Sequence, residues 1–175
     1  MGRLIEDLLT LSRLDQGAQL LKWQEVDLDT LLLTVYEQME LLAAQKDIRL
    51  ELNLPQESLP HIQGDQSRLE QLITILLQNA LSYTPAGGRI IMNARVSPGI
   101  PSTVHIQVID NGPGISDQDK AHIFERFYRA ERSHTDRSHF GLGLCIAQEI
   151  AHAHGTVLNV SDSEGGGAAF SFTLH

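Results

Sequence analysis

The sequence predicts an α+β domain, and three features carry that expectation. The stretches 31–46 and 66–83 place their apolar residues at three- and four-residue intervals, the period of a helix buried along one side. Two pairs of strand-length runs, 89–96 with 103–109 and 156–161 with 168–174, are each joined by turn-forming residues and so predict antiparallel pairs. With 175 residues, 42% of them hydrophobic and 20% charged, the chain is long enough for one compact core and an appendage.

Composition excludes several classes. A net charge of −9 and a pI near 5.2 argue against a general nucleic-acid binder, which needs clustered Lys and Arg. The single Cys145 gives neither a disulfide framework nor metal-ligand spacing and fits a reducing, cytosolic setting. No apolar run reaches membrane-spanning length, and no signal-peptide pattern precedes the domain. No direct membrane contact is expected of this stretch. The chain opens within a helical pattern, as a piece of a longer protein would.

In order, Leu4, Ile5, Leu8, Leu9, Leu11 and Leu14 form the stripe of an amphipathic helix end, with Gly17 as its stop. Residues 23–27 read as a short strand. Asp27 or Asp29 then caps the helix that runs through Leu31, Leu32, Val35, Met39, Leu42 and Ala43 to about Lys46. Residues 48–54 alternate as a strand, 55–60 form a loop, and 61–64 are briefly extended before Asp65 caps the second long helix. That helix buries Leu69, Leu72, Ile73, Leu76, Leu77, Ala80 and Leu81, while Asn79 and Tyr83, four apart, project from one flank. After the first strand pair, Ser116 and Asp117 begin a short helix over 118–123. Residues 130–139 are polar and aperiodic, and a last helix opens at Gly141 and stops at Gly155.

Three places carry candidate chemistry. The alternating run 104–109 delivers Asp110 to a strand end, where Asp110-Asn111-Gly112-Pro113-Gly114-Ile115 turns the chain. A carboxylate there accepts hydrogen bonds and donates none, which suits the exocyclic amine of adenine, and Gly112 and Gly114 would let a flat ring approach the backbone. An ordinary Asp-Asn-Gly turn explains the same residues. Asn79 is no helix former, so it is either a surface residue or an oxygen ligand for a hard cation such as Mg²⁺ beside nucleotide phosphates. Gly141 and Gly143 stand at a helix start, where free N–H groups favour an anion, although a turn into the helix needs a glycine as well.

The order of these signals resembles the catalytic and ATP-binding domain of sensor histidine kinases, part of the superfamily shared with gyrase, heat-shock chaperone and mismatch-repair ATPases. Residues 68–85 match that family's N box, 110–115 its first G box, 124–129 its F box and 139–144 its second G box; 165–170 resemble its last glycine motif. The match runs from about Trp23 to Leu174, and residues 2–15 resemble the end of the second helix of the family's dimerisation and phosphoacceptor domain. The resemblance implies a division at 1–22 and 23–175, and a two-layer α/β sandwich of the Bergerat type with helices on one face of a mixed sheet. ATP would lie between the layers under a lid at about 116–139. Asp110 would hold the adenine amine within the Gly112, Gly114 and Ile115 turn, and Asn79 the Mg²⁺. Tyr83 and Arg129 would stand on the ribose and phosphate side, with Gly141, Leu142 and Gly143 at the phosphates.

It further implies a histidine protein kinase of a two-component system. The γ-phosphate would be presented to a histidine on an upstream dimerisation domain of a homodimer, then relayed to an aspartate of a response regulator. The setting would be the cytoplasmic domain of a cell-membrane sensor. None of the eight histidines has the acidic neighbour and dimer-helix setting of the acceptor, so this stretch alone is not expected to phosphorylate itself. His152 and His154, two apart on a helix, point apart and make no metal pair. The chain departs from the family pattern at Ile75, where an Asn is frequent, at Ser82, where a Lys is common, and at His139-Phe140, where a glycine is usual. The alternative function is therefore a weakly nucleotide-binding platform for dimer signalling.

Overall fold

Three aspartates near the starts of the two long helices set much of the frame. The computed structural model describes residues 21–97, 99, 102–128 and 141–175. Asp27 accepts from Thr30 N at 3.1 Å and so caps helix α1, Leu28–Gln45. Asp29, the other candidate, instead accepts from Leu59 N at 3.0 Å and ties the loop at 55–60 to that helix. Helix α1 ends in a Schellman closure: Ile48 N donates to Ala43 O at 2.9 Å while Asp47 takes the left-handed conformation, φ 56°.

Helix α2, Gln66–Tyr83, is capped by Asp65, whose Oδ1 accepts from Arg68 N at 3.2 Å and whose Oδ2 accepts from Lys22 N at 2.9 Å. Asp65 N donates to Nε2 of His154 at 3.0 Å, and Nδ1 of that ring lies 2.8 Å from Ile150 O. Both ring nitrogens are thereby occupied, with the proton on Nδ1. His154, the cap that follows the closing helix, joins the last turn of that helix to the N-cap of α2, and the tilted Trp23 ring lies 5.5 Å from it between centroids.

The remaining elements are β1 Gln24–Val26, β2 Arg49–Asn53, β3 Ile62–Gly64, β4 Arg89–Val96, β5 Val104–Asp110, a single helical turn α3 Asp117–Lys120, α4 Gly143–Ala153, β6 Asn159–Asp162 and β7 Ala168–Leu174. The segment expected only to be extended at 61–64 is a strand, paired antiparallel with β1. The main sheet has the order β2-β4-β5-β7-β6, with β2 parallel to β4 and every other pair antiparallel. This is the mixed sheet that was expected.

One sheet face carries Leu50, Ile90, Met92, Ala94, Ile106, Val108, Phe170 and Phe172, all buried with Leu31, Leu72, Ile73, Leu76 and Ile150 from the helices. Each such fully buried side chain contributes on the order of 1.5–3 kcal/mol. The opposite face is polar and half-open. Asn53, Asn93, Gln107, Ser171 and Asn159 stand in successive registered positions across all five strands. One face buried and one wet is what alternation along β4 and β5 demands. Helices therefore lie on one side only, and the fold is a two-layer α/β sandwich. Among the described residues no helix is long and apolar enough to cross a membrane.

Candidate functional site

Strand β5 ends by burying Asp110, which retains only 6% exposure. Its Oδ1 accepts from Gly112 N at 2.9 Å and from Ala168 N at 3.2 Å, so β7 helps to hold a carboxylate carried by β5. Burial pushes its pKa above the ordinary carboxylate value, and the two backbone donors only partly offset that. Both hydrogen bonds that it receives among the described residues fall on Oδ1. Oδ2 is the oxygen left to accept from an amine, which is what an adenine edge requires.

The glycines around Asp110 are crowded by the protein's own backbone. A Cβ on Gly112 would meet Tyr83 O at 2.9 Å, and one on Gly114, at φ 73°, would meet Gly166 O at 2.5 Å. A Cβ on Gly167 would overlap Asp110 O and sit 2.8 Å from the Cα of Asn111. Tight apposition of three backbone segments thus accounts for these glycines before any ligand is considered. Ser163 Oγ donates to Asp110 O at 2.7 Å and Asn111 Oδ1 accepts from Arg89 N at 2.7 Å, fixing the turn from both sides. Ile115 packs half-buried against the core.

Helix α2 ends beside this turn, and α4 packs against α2 farther back along it. Tyr83, the last residue of α2, is 45% exposed, and its carbonyl backs Gly112. Asn79, one turn earlier, is half-buried, and no hydrogen-bond partner for its side chain occurs among the described residues. Its oxygen is free to ligate a cation. A Cβ on Gly143 would stand 3.4 Å from Cγ2 of Ile75, which places the start of α4 against α2 one turn below Asn79. Helices α1, α2 and α3 have capping side chains at Asp27, Asp65 and Ser116, whereas Leu142, buried at the start of α4, supplies none. Leu142 thus leaves the positive end of α4 without a cap of its own, and an anion would complement that end.

The departures from the family pattern have local consequences. Ile75 fills the space beside Gly143 with a methyl group, and Ser82 donates to Gln78 O at 2.9 Å, back along its own helix. Neither offers a charge to a phosphate. Gly141, at φ 72°, accepts from Phe127 N at 3.0 Å, and a Cβ there would meet Tyr128 O at 2.6 Å. Phe127 itself is left-handed, φ 64°, and exposed. Arg129, His134, His139 and Phe140 lie outside the described residues.

Two histidines have an acidic partner in space that their sequence context did not suggest. Nδ1 of His61 lies 2.7 Å from Oε1 of Glu25, and Nδ1 of His122 lies 2.6 Å from Oε1 of Glu125. Neither stands on a long helix. Local pattern also gave no sign of Ser163 and Ala168 as partners of Asp110, because both reach it across a gap of more than fifty residues. Among the described residues no cluster of three or more His, Cys, Asp or Glu could hold a metal. A cation here would depend on Asn79 and on oxygens brought by a ligand.

A two-layer sandwich whose central strand ends in a buried carboxylate, with a glycine-led helix packed on the same sheet, is the architecture of an ATPase fold. Residues 64–175 match the histidine kinase-, DNA gyrase B-, and HSP90-like ATPase family, and the chain belongs to that family. It is 31% identical over 175 residues to the sensor histidine kinase WalK of Bacillus subtilis, covering 99% of this chain and 28% of the relative. It is 34% identical over 175 residues to the adaptive-response sensory kinase SasA of Crocosphaera subtropica, covering 99% of this chain and 44% of that relative. Among solved structures, full-length ShkA in complex with AMPPNP superposes with a TM-score of 0.83 at 32% identity, over 98% of this chain and 35% of ShkA. The chain spans less than half the length of these curated relatives.

Proposed function

We propose that this chain is the ATP-binding catalytic part of a two-component sensor histidine kinase. The observation that carries the proposal is the Asp110 carboxylate, buried, anchored through one oxygen, and set beside the end of α2, the helix that carries Asn79 and Tyr83. Asp110 accepts the adenine amine and thereby selects the base. Tyr83 borders the sugar, and the N–H groups that follow Leu142 hold the phosphates. Asn79 offers its oxygen to Mg²⁺, and the bound Mg²⁺–nucleotide supplies the phosphoryl group for transfer to a histidine of an upstream dimerisation domain and on to a response-regulator aspartate. The catalytic domain begins at about Trp23. Support for that boundary comes from β1, which pairs with β3, and from Val26 and Leu28, which are fully buried. The AMPPNP bound by ShkA and the sensor-kinase relatives support the same reading.

A ligand that binds only the folded state raises the melting temperature with the logarithm of its concentration over Kd. Millimolar ATP with Mg²⁺ is therefore expected to raise the melting temperature of this chain, and no shift at that concentration would refute the nucleotide site. Ile75 against Gly143 and Ser82 bonded to its own helix favour a second reading, a low-affinity signalling platform. Titration with a fluorescent ATP analogue separates the two by affinity.

The metal assignment has its own test. Asn79→Ala removes the one side-chain oxygen assigned to Mg²⁺ and leaves the buried face of α2 intact. The variant is expected to melt close to the parent and to bind ATP equally well with Mg²⁺ and with chelator. Equal Mg²⁺ enhancement in variant and parent would place the cation elsewhere.

A further inference from the structure

Lys120 is held by two carboxylates. Its Nζ donates to Asp117 Oδ1 at 2.9 Å, within the single turn α3, and to Asp162 Oδ2 at 2.8 Å, on β6 and forty-two residues away. Only 17% of its side chain is exposed, so the stem is covered while the ammonium spans the two elements. Ion pairs at a surface contribute little to stability, and one helical turn needs no partner on a distant strand. What the second bond does follows from where it attaches.

Asp162 ends β6 and pairs with Ala168, whose N–H donates to Asp110 Oδ1, and the residue after it, Ser163, donates its hydroxyl to Asp110 O. Two anchors of the Asp110 turn therefore flank Asp162, one across the ladder and one along the chain. At the other end of the bridge, α3 follows the Asp110 turn directly, with Ser116 as its N-cap. The same helical turn holds the segment beyond it: the Tyr128 hydroxyl donates to Asp119 Oδ1 at 2.7 Å, and Phe127 N donates to Gly141 O at 3.0 Å. The bridge thus ties the chain that leaves Asp110 back to the strand end that anchors Asp110.

We propose that Lys120 is a positioning residue of the nucleotide site, clamping α3 through Asp162 to the strand end that anchors Asp110 and so ordering the rim of that site before a nucleotide arrives. The inference rests on the nucleotide reading above. A rim already ordered spares the ligand the entropy of ordering it, so the bridge contributes to affinity more than to stability. Lys120 and Asp162 act as a pair, and removing either charge has the same effect. A charge acting on the nucleotide directly would instead shift affinity in opposite directions at the two positions.

Kd for ATP would be measured, with melting temperature and amide hydrogen exchange in the absence of nucleotide, on the parent, Lys120→Met, Asp162→Asn, their double variant, Lys120→Arg and Asp117→Asn. Lys120→Met and Asp162→Asn are each expected to bind ATP about 2- to 5-fold more weakly, the double variant no more weakly than either, and all three to melt within about 4 °C of the parent. Exchange at the Ala168 and Phe127 amides should be faster in all three. Lys120→Arg should keep parental affinity. Asp117→Asn removes the same charge as Asp162→Asn but leaves the link to β6, so it should keep parental affinity as well. Opposite shifts in Lys120→Met and Asp162→Asn, losses that add in the double variant, or parental affinity or exchange in Lys120→Met would overturn the clamp, while ATP binding by the parent leaves the nucleotide site standing. Absence of ATP binding in the parent would overturn both.

Discussion

Asp110→Asn is expected to make the protein more stable and its nucleotide binding weaker. Burial raises the pKa of this carboxyl in the folded chain, so the folded state holds its proton more tightly than the unfolded state does. The penalty is absent below the unfolded value of 3.8, builds as pH rises from there to the raised folded value, and is complete above it. An Asn carries no charge to desolvate, and its oxygen can still accept from Gly112 and Ala168. The variant should therefore gain melting temperature at pH 7, and the gain should shrink as the pH falls towards 3.8. At the same time the amide turns one acceptor into a donor against the adenine amine, a loss on the order of 1–3 kcal/mol of binding. Thermal scans across pH, with and without ATP, read both effects. A variant that is less stable at neutral pH, or that binds ATP like the parent, would contradict the role assigned to the carboxylate.

Gly167→Ala is expected to be the most damaging single-methyl change near the site. The new Cβ would overlap Asp110 O and crowd the Cα of Asn111, and backbone cannot move aside as a side-chain tip can. Relief requires the start of β7 to part from the end of β5, which loosens the Ala168 N–H and the Ser163 hydroxyl from Asp110 together. Overpacking of this kind costs about 1–3 kcal/mol, and each kcal/mol lowers the melting temperature of a chain this long by about 2–4 °C. Nucleotide binding should fail with it. Gly143→Ala is the contrast, because its Cβ meets only Cγ2 of Ile75 at an ordinary 3.4 Å and Ala favours helix. That variant should melt at or above the parent.

Local pattern was enough to find the two long helices, their caps and most strands, because amphipathic periodicity and Asp caps act within a few residues. It did not choose between Asp27 and Asp29, since what distinguishes them is Leu59, thirty residues away. It also began β6 at Thr156, whereas pairing starts at Asn159. Thr156 N is drawn back to Ala151 O by the closure of α4, and Leu158 N donates to Gln148 Oε1, so those residues belong to the helix end before they can join a ladder. The strand order was equally invisible to periodicity. A run that alternates can pair with any other, and β2 beside β4 and β7 between β5 and β6 are settled by which buried faces meet. At the site, the Asp110 turn was legible as chemistry, but Gly112 and Gly114 prove to be crowded by Tyr83 and Gly166 backbone.

Strand β7 inserts between β5 and β6, and its pairing of Val104 with Leu174 joins positions seventy residues apart. Contacts this distant carry a closure entropy that local contacts do not, because the intervening chain must be ordered to bring them together. Until they form, β5 has a bare edge, the Phe170 and Phe172 rings are missing from the core, and Oδ1 of Asp110 has lost its Ala168 donor. Strand β7 must therefore leave the ribosome before Asp110 gains its Ala168 donor, and a nascent chain stalled short of Ala168 is an unfinished sheet with that carboxylate half-tethered.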